Sequence, residues 1–144
     1  MNITYTNILT PEEYNDLRAA VHFSVIESSL AAKGLAHSAF IVSARDGGKA
    51  VGMARVITDY GYTVYIADVI VHPDYQGKGL GREIMTRIMA YVDENVAPGQ
   101  AKFITLMAAK GKEGFYEKFG FLKRPTAELG CGMTQWIRKE EQDG

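Results

Sequence analysis

Gly77, Gly79 and Gly81 alternate with Lys78 and Leu80 and run into Arg82, and residues of these types at this spacing could grip a phosphate. Downstream, Leu80, Ile84, Ile88, Tyr91 and Val92 recur at the interval of one helical face, so the sequence predicts a helix beginning near Gly79. The first N–H groups of a helix lack internal partners, and the helix dipole puts partial positive charge at the same end. A loop without Cβ atoms lets a phosphate reach those N–H groups, while Lys78 and Arg82 add full positive charge. A tight turn alone needs about one or two glycines, so the alternating pattern reads as a pyrophosphate cradle. Upstream, Ala67 to Val71 reads as a buried strand and Pro73 as a turn, which sets the cradle at a strand-to-helix junction.

The spacing narrows the ligand. A P-loop needs Gly-Lys followed by Ser or Thr, and that is absent. A dinucleotide fingerprint needs G-x-G-x-x-G at an early βα turn, with an acidic residue about twenty positions on. Here the glycines fall at G-x-G-x-G, in mid-chain. Gln76-Gly77-Lys78-Gly79-Leu80-Gly81 instead resembles the Gln/Arg-x-x-Gly-x-Gly/Ala motif of the GNAT superfamily, the GCN5-related N-acetyltransferases. Gly114-Phe115-Tyr116-Glu117-Lys118-Phe119-Gly120-Phe121 resembles that family's second signature, a helix and turn ending in Tyr-x-Lys-x-Gly-Phe. The resemblance spans at least Val51 to Phe121.

The resemblance implies a GNAT (acyl-CoA N-acyltransferase) fold. This is an α/β architecture with a mixed, mostly antiparallel central sheet, a splayed central strand pair and helices on both faces. It also implies acetyl transfer from acetyl-CoA, the co-substrate, to a primary amine, directly and within a ternary complex. In the family the strand ending at Val71 offers its backbone to the pantetheine arm. That assigns Val69, Ile70 and Val71 to cofactor binding, with an N–H near Val69 facing the oxyanion. Gln76, Gly77, Lys78, Gly79, Leu80, Gly81 and Arg82 would hold the pyrophosphate.

Tyr116 occupies the family's tyrosine position, and a phenol with a pKa of about 10 stays protonated, ready to donate to a departing sulfur. Asp68 lies where many members carry a carboxylate that takes the amine's proton through water. An acid in an apolar strand is costly unless it is used or paired, and a bond to Arg55 is an equal alternative. The family's region after the first helix walls the acceptor site, which makes Tyr14, His22 and Phe23, together with Arg55, candidate substrate contacts against ordinary packing. His72 could act as a base, but it precedes Pro73 at a strand end, where a turn role is simpler. Cys131, between Gly130 and Gly132, could carry an acyl group, but a small buried thiol is inert and the family transfers directly. Two alternatives stay open: a non-catalytic acyl-CoA-binding or regulatory module, and a protein N-terminal or lysine acetyltransferase.

The elements that must position these residues follow in order. Ile3 and Tyr5 suggest a short strand; Thr10-Pro11-Glu12-Glu13 opens a helix with a capping box and turns Leu17, Val21 and Tyr14 inward. Phe23 to Leu35 is helix-prone, with Gly34 as its stop. Strands are expected over Ala39–Ala44, Val51–Thr58, Thr63–Val71, Phe103–Met107 and Met133–Ile137, with a hairpin at Asp46-Gly47-Gly48 and a short helix over Lys112–Phe119. Trp136 is expected in the core or a dimer interface, since final strands commonly pair between subunits in the family; a homodimer follows. Residues 140–144 are expected to be disordered.

Bulk properties bound the rest. At 144 residues and 47% hydrophobic content, the chain reads as one domain, 1–144, with a real core. A formal net charge of −1 gives no global attraction to nucleic acid or anionic membrane and no bias toward a basic protein tail, so a small-molecule acceptor is favoured. No apolar run approaches a membrane span and the N-terminus is polar, so the expectation is cytoplasmic. With one cysteine and three scattered histidines, no metal is expected.

Overall fold

The computed structural model describes residues 1–141; the chain divides into the units Met1–Met107 and Ala108–Gly144. In the first, the strands β1 (Ile3–Thr6), β2 (Phe40–Asp46), β3 (Lys49–Thr58), β4 (Thr63–Val71) and β5 (Phe103–Leu106) lie side by side in chain order. β1 to β4 are antiparallel; short turns join β2 to β3 and β3 to β4, and Gly47, at φ +60°, makes the first of these turns. β5 runs parallel to β4, and a parallel return needs a long crossover. Helix α3 (Leu80–Glu94) supplies it.

Side chains alternate between the faces of a strand, and β3 shows which helix covers which face. Met53 joins Leu9, Tyr14, Leu17, Ala31, Leu35 and Ile70 in a core under helices α1 (Pro11–Ala20) and α2 (Ser28–Ala36). Its neighbour Gly52 points the other way, where Ile84 of α3 packs close to it. Helices therefore cover both faces of a mixed, mostly antiparallel sheet, as the resemblance implies. α3 buries Leu80, Ile84, Met85, Ile88 and Val92. α1 begins as its sequence predicts: the Thr10 hydroxyl accepts from Glu13 N at 3.1 Å, and Glu13 Oε1 accepts from Thr10 N at 3.0 Å.

Some expectations are corrected. Gly34 does not stop α2, which runs on to Ala36. The glycine sits inside the helix beneath Arg55, and its carbonyl accepts from the Ser38 hydroxyl at 2.8 Å. In the second unit the helix α4 (Glu113–Glu117) is shorter than Lys112–Phe119. No strand forms over Met133–Ile137, since that unit offers it no second strand to pair with among the described residues. Trp136 is therefore 65% exposed and is no core residue, and Cys131, expected to be buried, is also exposed. Glu140 and Glu141 have no regular structure; the rest of the expected disordered tail, 142–144, lies outside the described residues. Among the described residues no helix is long and apolar enough to cross a membrane.

Candidate functional site

The glycine loop lies between β4 and α3, at the strand-to-helix junction the sequence predicts. After β4, Pro73–Tyr75 makes one 3-10 turn, and the His72 ring caps it: Nδ1 accepts from Asp74 N at 3.1 Å. This is the turn role expected of His72. The loop then passes through Gly77 at φ +76° and Gly79 at φ +87°, backbone states that side chains rarely allow. A Cβ at either position would meet nothing within 4 Å, so the loop borders open space rather than filling it. Gly79 is the N-cap of α3, and no side chain caps that terminus. Its first-turn N–H groups face outward with the helix dipole behind them. Gln76 donates Nε2 to the Val71 carbonyl at 2.9 Å, tying the loop back to the strand. Lys78 lies over the Tyr75 ring at 5.6 Å and reaches the Asp74 carbonyl at 3.3 Å. Such a loop fits a pyrophosphate: donors, cations and space stand together.

Beside it, the sheet parts. Parallel pairing of β4 with β5 ends at Ile66↔Leu106, while β4 continues from Ala67 to Val71. On its other edge, Asp68 and Val69 of β4 stand opposite the single residue Ala54 of β3, between the pairs Arg55↔Ala67 and Met53↔Ile70. This is a β-bulge, and Asp68 sits in it at φ +56°, a left-handed state that Asp tolerates better than most residues. A bulge re-aims the backbone of the strand at this point, which holds Val69, Ile70 and Val71 along the unpaired edge.

The Asp68 carboxylate faces the α1–α2 side of the sheet and collects three donors. Arg18 Nη1 reaches Oδ1 at 2.6 Å, while Arg55 Nε and the Tyr14 hydroxyl both reach Oδ2 at 2.8 Å. The pairing with Arg55 weighed from sequence is formed, and Tyr14 and Arg55 come together on one acid. Burial, then the Asp68 charge, pushes the Tyr14 phenol up from its usual pKa, and burial does the same at Tyr65. Phe23 joins from the outside, with Arg18 over its ring at 5.5 Å, whereas the exposed His22, at φ +65°, gives Asp68 no hydrogen bond. Sequence reasoning missed Arg18. The signal was there: it stands four residues after Tyr14 on α1, on the face that turns inward.

Tyr116 lies in α4 of the second unit. It is 7% exposed, with its ring against Phe115 and Phe121. Burial pushes its phenol up to about 12, and its hydroxyl has no hydrogen-bond partner among the described residues. A cavity of about 460 Å³ lies at the other end of α3, lined by Tyr60, Tyr62, Tyr91, Asn95 and Lys102, and contains none of the expected site residues. No group of acidic, histidine or cysteine residues among the described ones could hold a metal ion.

Comparison with known proteins bears on the family and the fold. The model of the Acetyltransferase (GNAT) family matches residues 5–121. A Staphylococcus aureus structure titled a probable acetyltransferase of unknown function superposes with a TM-score of 0.85 at 33% identity, covering 94% of this chain and all of that one. An uncharacterized N-acetyltransferase, ycf52, of Porphyra purpurea is 35% identical over 100 residues, 67% of this chain and 55% of its own. Serotonin N-acetyltransferase 2 of Oryza sativa, named chloroplastic, is 30% identical over 123 residues, 83% of this chain and 60% of its own. The chain thus spans about half the length of the curated relatives that it matches, 55% in the first case.

Proposed function

This chain belongs to the Acetyltransferase (GNAT) family, and from that membership we propose that it is an acetyl-CoA-dependent N-acetyltransferase acting directly on a primary amine, most simply that of a small molecule. The observation that carries the reading is the uncapped N-terminus of α3, reached through Gly77 and Gly79 and flanked by Lys78 and Arg82, next to the end of β4, whose β5-side edge has no strand partner among the described residues. In this reading Gln76 to Arg82 hold the pyrophosphate and the backbone of Val69, Ile70 and Val71 aligns the pantetheine arm. Acetyl-CoA supplies the acetyl group as an activated thioester.

This chain's own residues do the rest. An N–H in the bulge near Val69 is aimed at developing negative charge on the carbonyl oxygen. Tyr116 keeps a proton on its phenol for the departing sulfur, and its raised pKa supports that state at neutral pH. Asp68, in the bulge itself, takes the amine's proton through water, sharing its oxygens with Arg18, Arg55 and Tyr14 as it does so. A cytoplasmic location is part of the same reading.

The first experiment is a calorimetric titration with acetyl-CoA, with ATP and NADH as controls, followed by free-thiol release over a panel of small amines and a lysine peptide. Micromolar acetyl-CoA binding, silent controls and thiol release are expected (binding in that range is about 8 kcal/mol). Binding without release from any amine would leave the acyl-CoA-binding module. No binding by folded protein would remove the cradle reading.

A further inference from the structure

Resting on the acetyltransferase reading, we infer that the acceptor carries an oxyanion, a carboxylate or a phosphate, and that Arg18 and Arg55 bind it. The cluster on the α1–α2 face holds two guanidinium groups and one carboxylate. Asp68 is the sole ion-pair partner of each arginine among the described residues. The side chains are largely out of water, at 11% exposure for Arg18, 17% for Arg55 and 10% for Asp68. An excess positive charge in such a setting is costly unless a counter-charge arrives.

The hydrogen bonds leave room for that counter-charge. Arg18 spends Nη1 on Asp68 and Nε on the Ser24 carbonyl, at 2.7 Å. Arg55 spends Nε on Asp68 and Nη1 on Ser38 Oγ and the Gly34 carbonyl, at 3.2 and 3.4 Å. Neither Nη2 has an acceptor among the described residues, and neither is sealed off, since no buried side-chain nitrogen is without a partner. Each guanidinium therefore keeps one unspent donor group that water can reach, in a plane fixed by the nitrogens that are pinned. Fixed, paired guanidinium donors suit the oxygens of a carboxylate or phosphate better than any neutral group. Phe23, 41% exposed and stacked under Arg18, gives the approach an apolar wall for the carbon chain between oxyanion and amine. The cluster also sits at the bulge itself, because Asp68 is one of its residues. An acceptor anchored there presents its amine beside the open, β5-side edge of β4.

The test compares acceptors that differ only in the anion: 4-aminobutyrate against n-butylamine, and O-phosphoethanolamine against ethanolamine, by thiol release. The member with the anionic group in at least one pair is expected to have a kcat/KM about tenfold higher, carried by KM. Which pair shows it separates carboxylate from phosphate. Arg18→Gln should shrink that advantage to about threefold or less, and Arg18→Lys should restore part of it. Amines lacking the anionic group used as well as or better than their partners that carry it would overturn the proposal while leaving the acetyltransferase reading intact. Should no amine release thiol, NMR of the Arg18 and Arg55 Nε–H signals during titration with phosphate and with 4-aminobutyrate reads the site directly. Displaced signals support it; unmoved signals overturn it.

Discussion

Tyr116 and Glu13 show how two side chains far apart in the sequence are set by opposite environments. Tyr116 is buried against aromatic rings, and the loss of water alone lifts its phenol to about 12. The fold favours the protonated phenol, so this contribution is whole below the unfolded pKa of about 10 and is lost as pH rises toward 12. On the proposed reading this phenol is protonated at neutral pH and is the group that donates to the departing sulfur. Tyr116→Phe should lower turnover by about tenfold or more with acetyl-CoA affinity unchanged. The wild-type rate profile should show no alkaline limb from this group below pH 10; a limb there that vanishes in the phenylalanine variant would contradict the assignment. Glu13 is the reverse case. The hydrogen bond from Arg45 Nη1, at 2.6 Å, leads the causes that lower its carboxyl from 4.5 to about 2, helped by the Thr10 backbone. Its contribution is present above pH 4.5 and is lost as pH falls toward 2. Glu13→Gln should cost about 1 kcal/mol near neutrality, and the gap to wild type should close over that acid range in a series of denaturant melts. A gap that is constant with pH would mean that the capping geometry, not the charge, is what Glu13 contributes.

Among the elements, α3 packs closely on the sheet at Gly52. A Cβ on Gly52 would stand 2.9 Å from Ile84 Cδ1 and 3.3 Å from the Ile70 carbonyl, so glycine is what lets α3 lie close to the sheet. Gly52→Ala should destabilise the protein by about 1–3 kcal/mol, and Ile84→Val in the same chain should recover part of that loss because it removes the obstructing methyl group. Strictly additive losses in the double variant would show that the packing is set elsewhere. Much at this scale was legible in the sequence. The α1 cap, the β2–β3 hairpin, the glycine loop and the inner face of α3 all follow from local rules, where residue type and period act within a few positions. The bulge in β4 did not show. It is a mismatch between two strands, and Asp68 alone cannot reveal that Ala54 will stand opposite two residues. Arg18 was missed for a related reason: its partner is 50 positions away, and only the sheet brings them together. Gly34 misled because helix stops and glycines inside helices look alike until Arg55 packs on one of them.

For the whole molecule, the last described segment sets the remaining question. The stretch expected to close the sheet forms no strand, and it leaves Met133 87%, Trp136 65% and Ile137 78% exposed. Isolated exposed apolar residues are ordinary; three within five positions, including a tryptophan, are costly for a chain in water without a partner. The near-neutral net charge of −1 offers little repulsion between copies. The homodimer expected from sequence would bury this segment, and backbone groups without a strand neighbour would gain one at the same time. We therefore predict a concentration-dependent dimer in sedimentation equilibrium, and a monomer when Trp136→Ser and Ile137→Ser are combined. Acetyl-CoA affinity should survive in that monomer, because the cradle lies wholly within Met1–Met107. A wild-type protein that stays monomeric up to high micromolar concentration would remove the dimer and leave the segment to some other occupant.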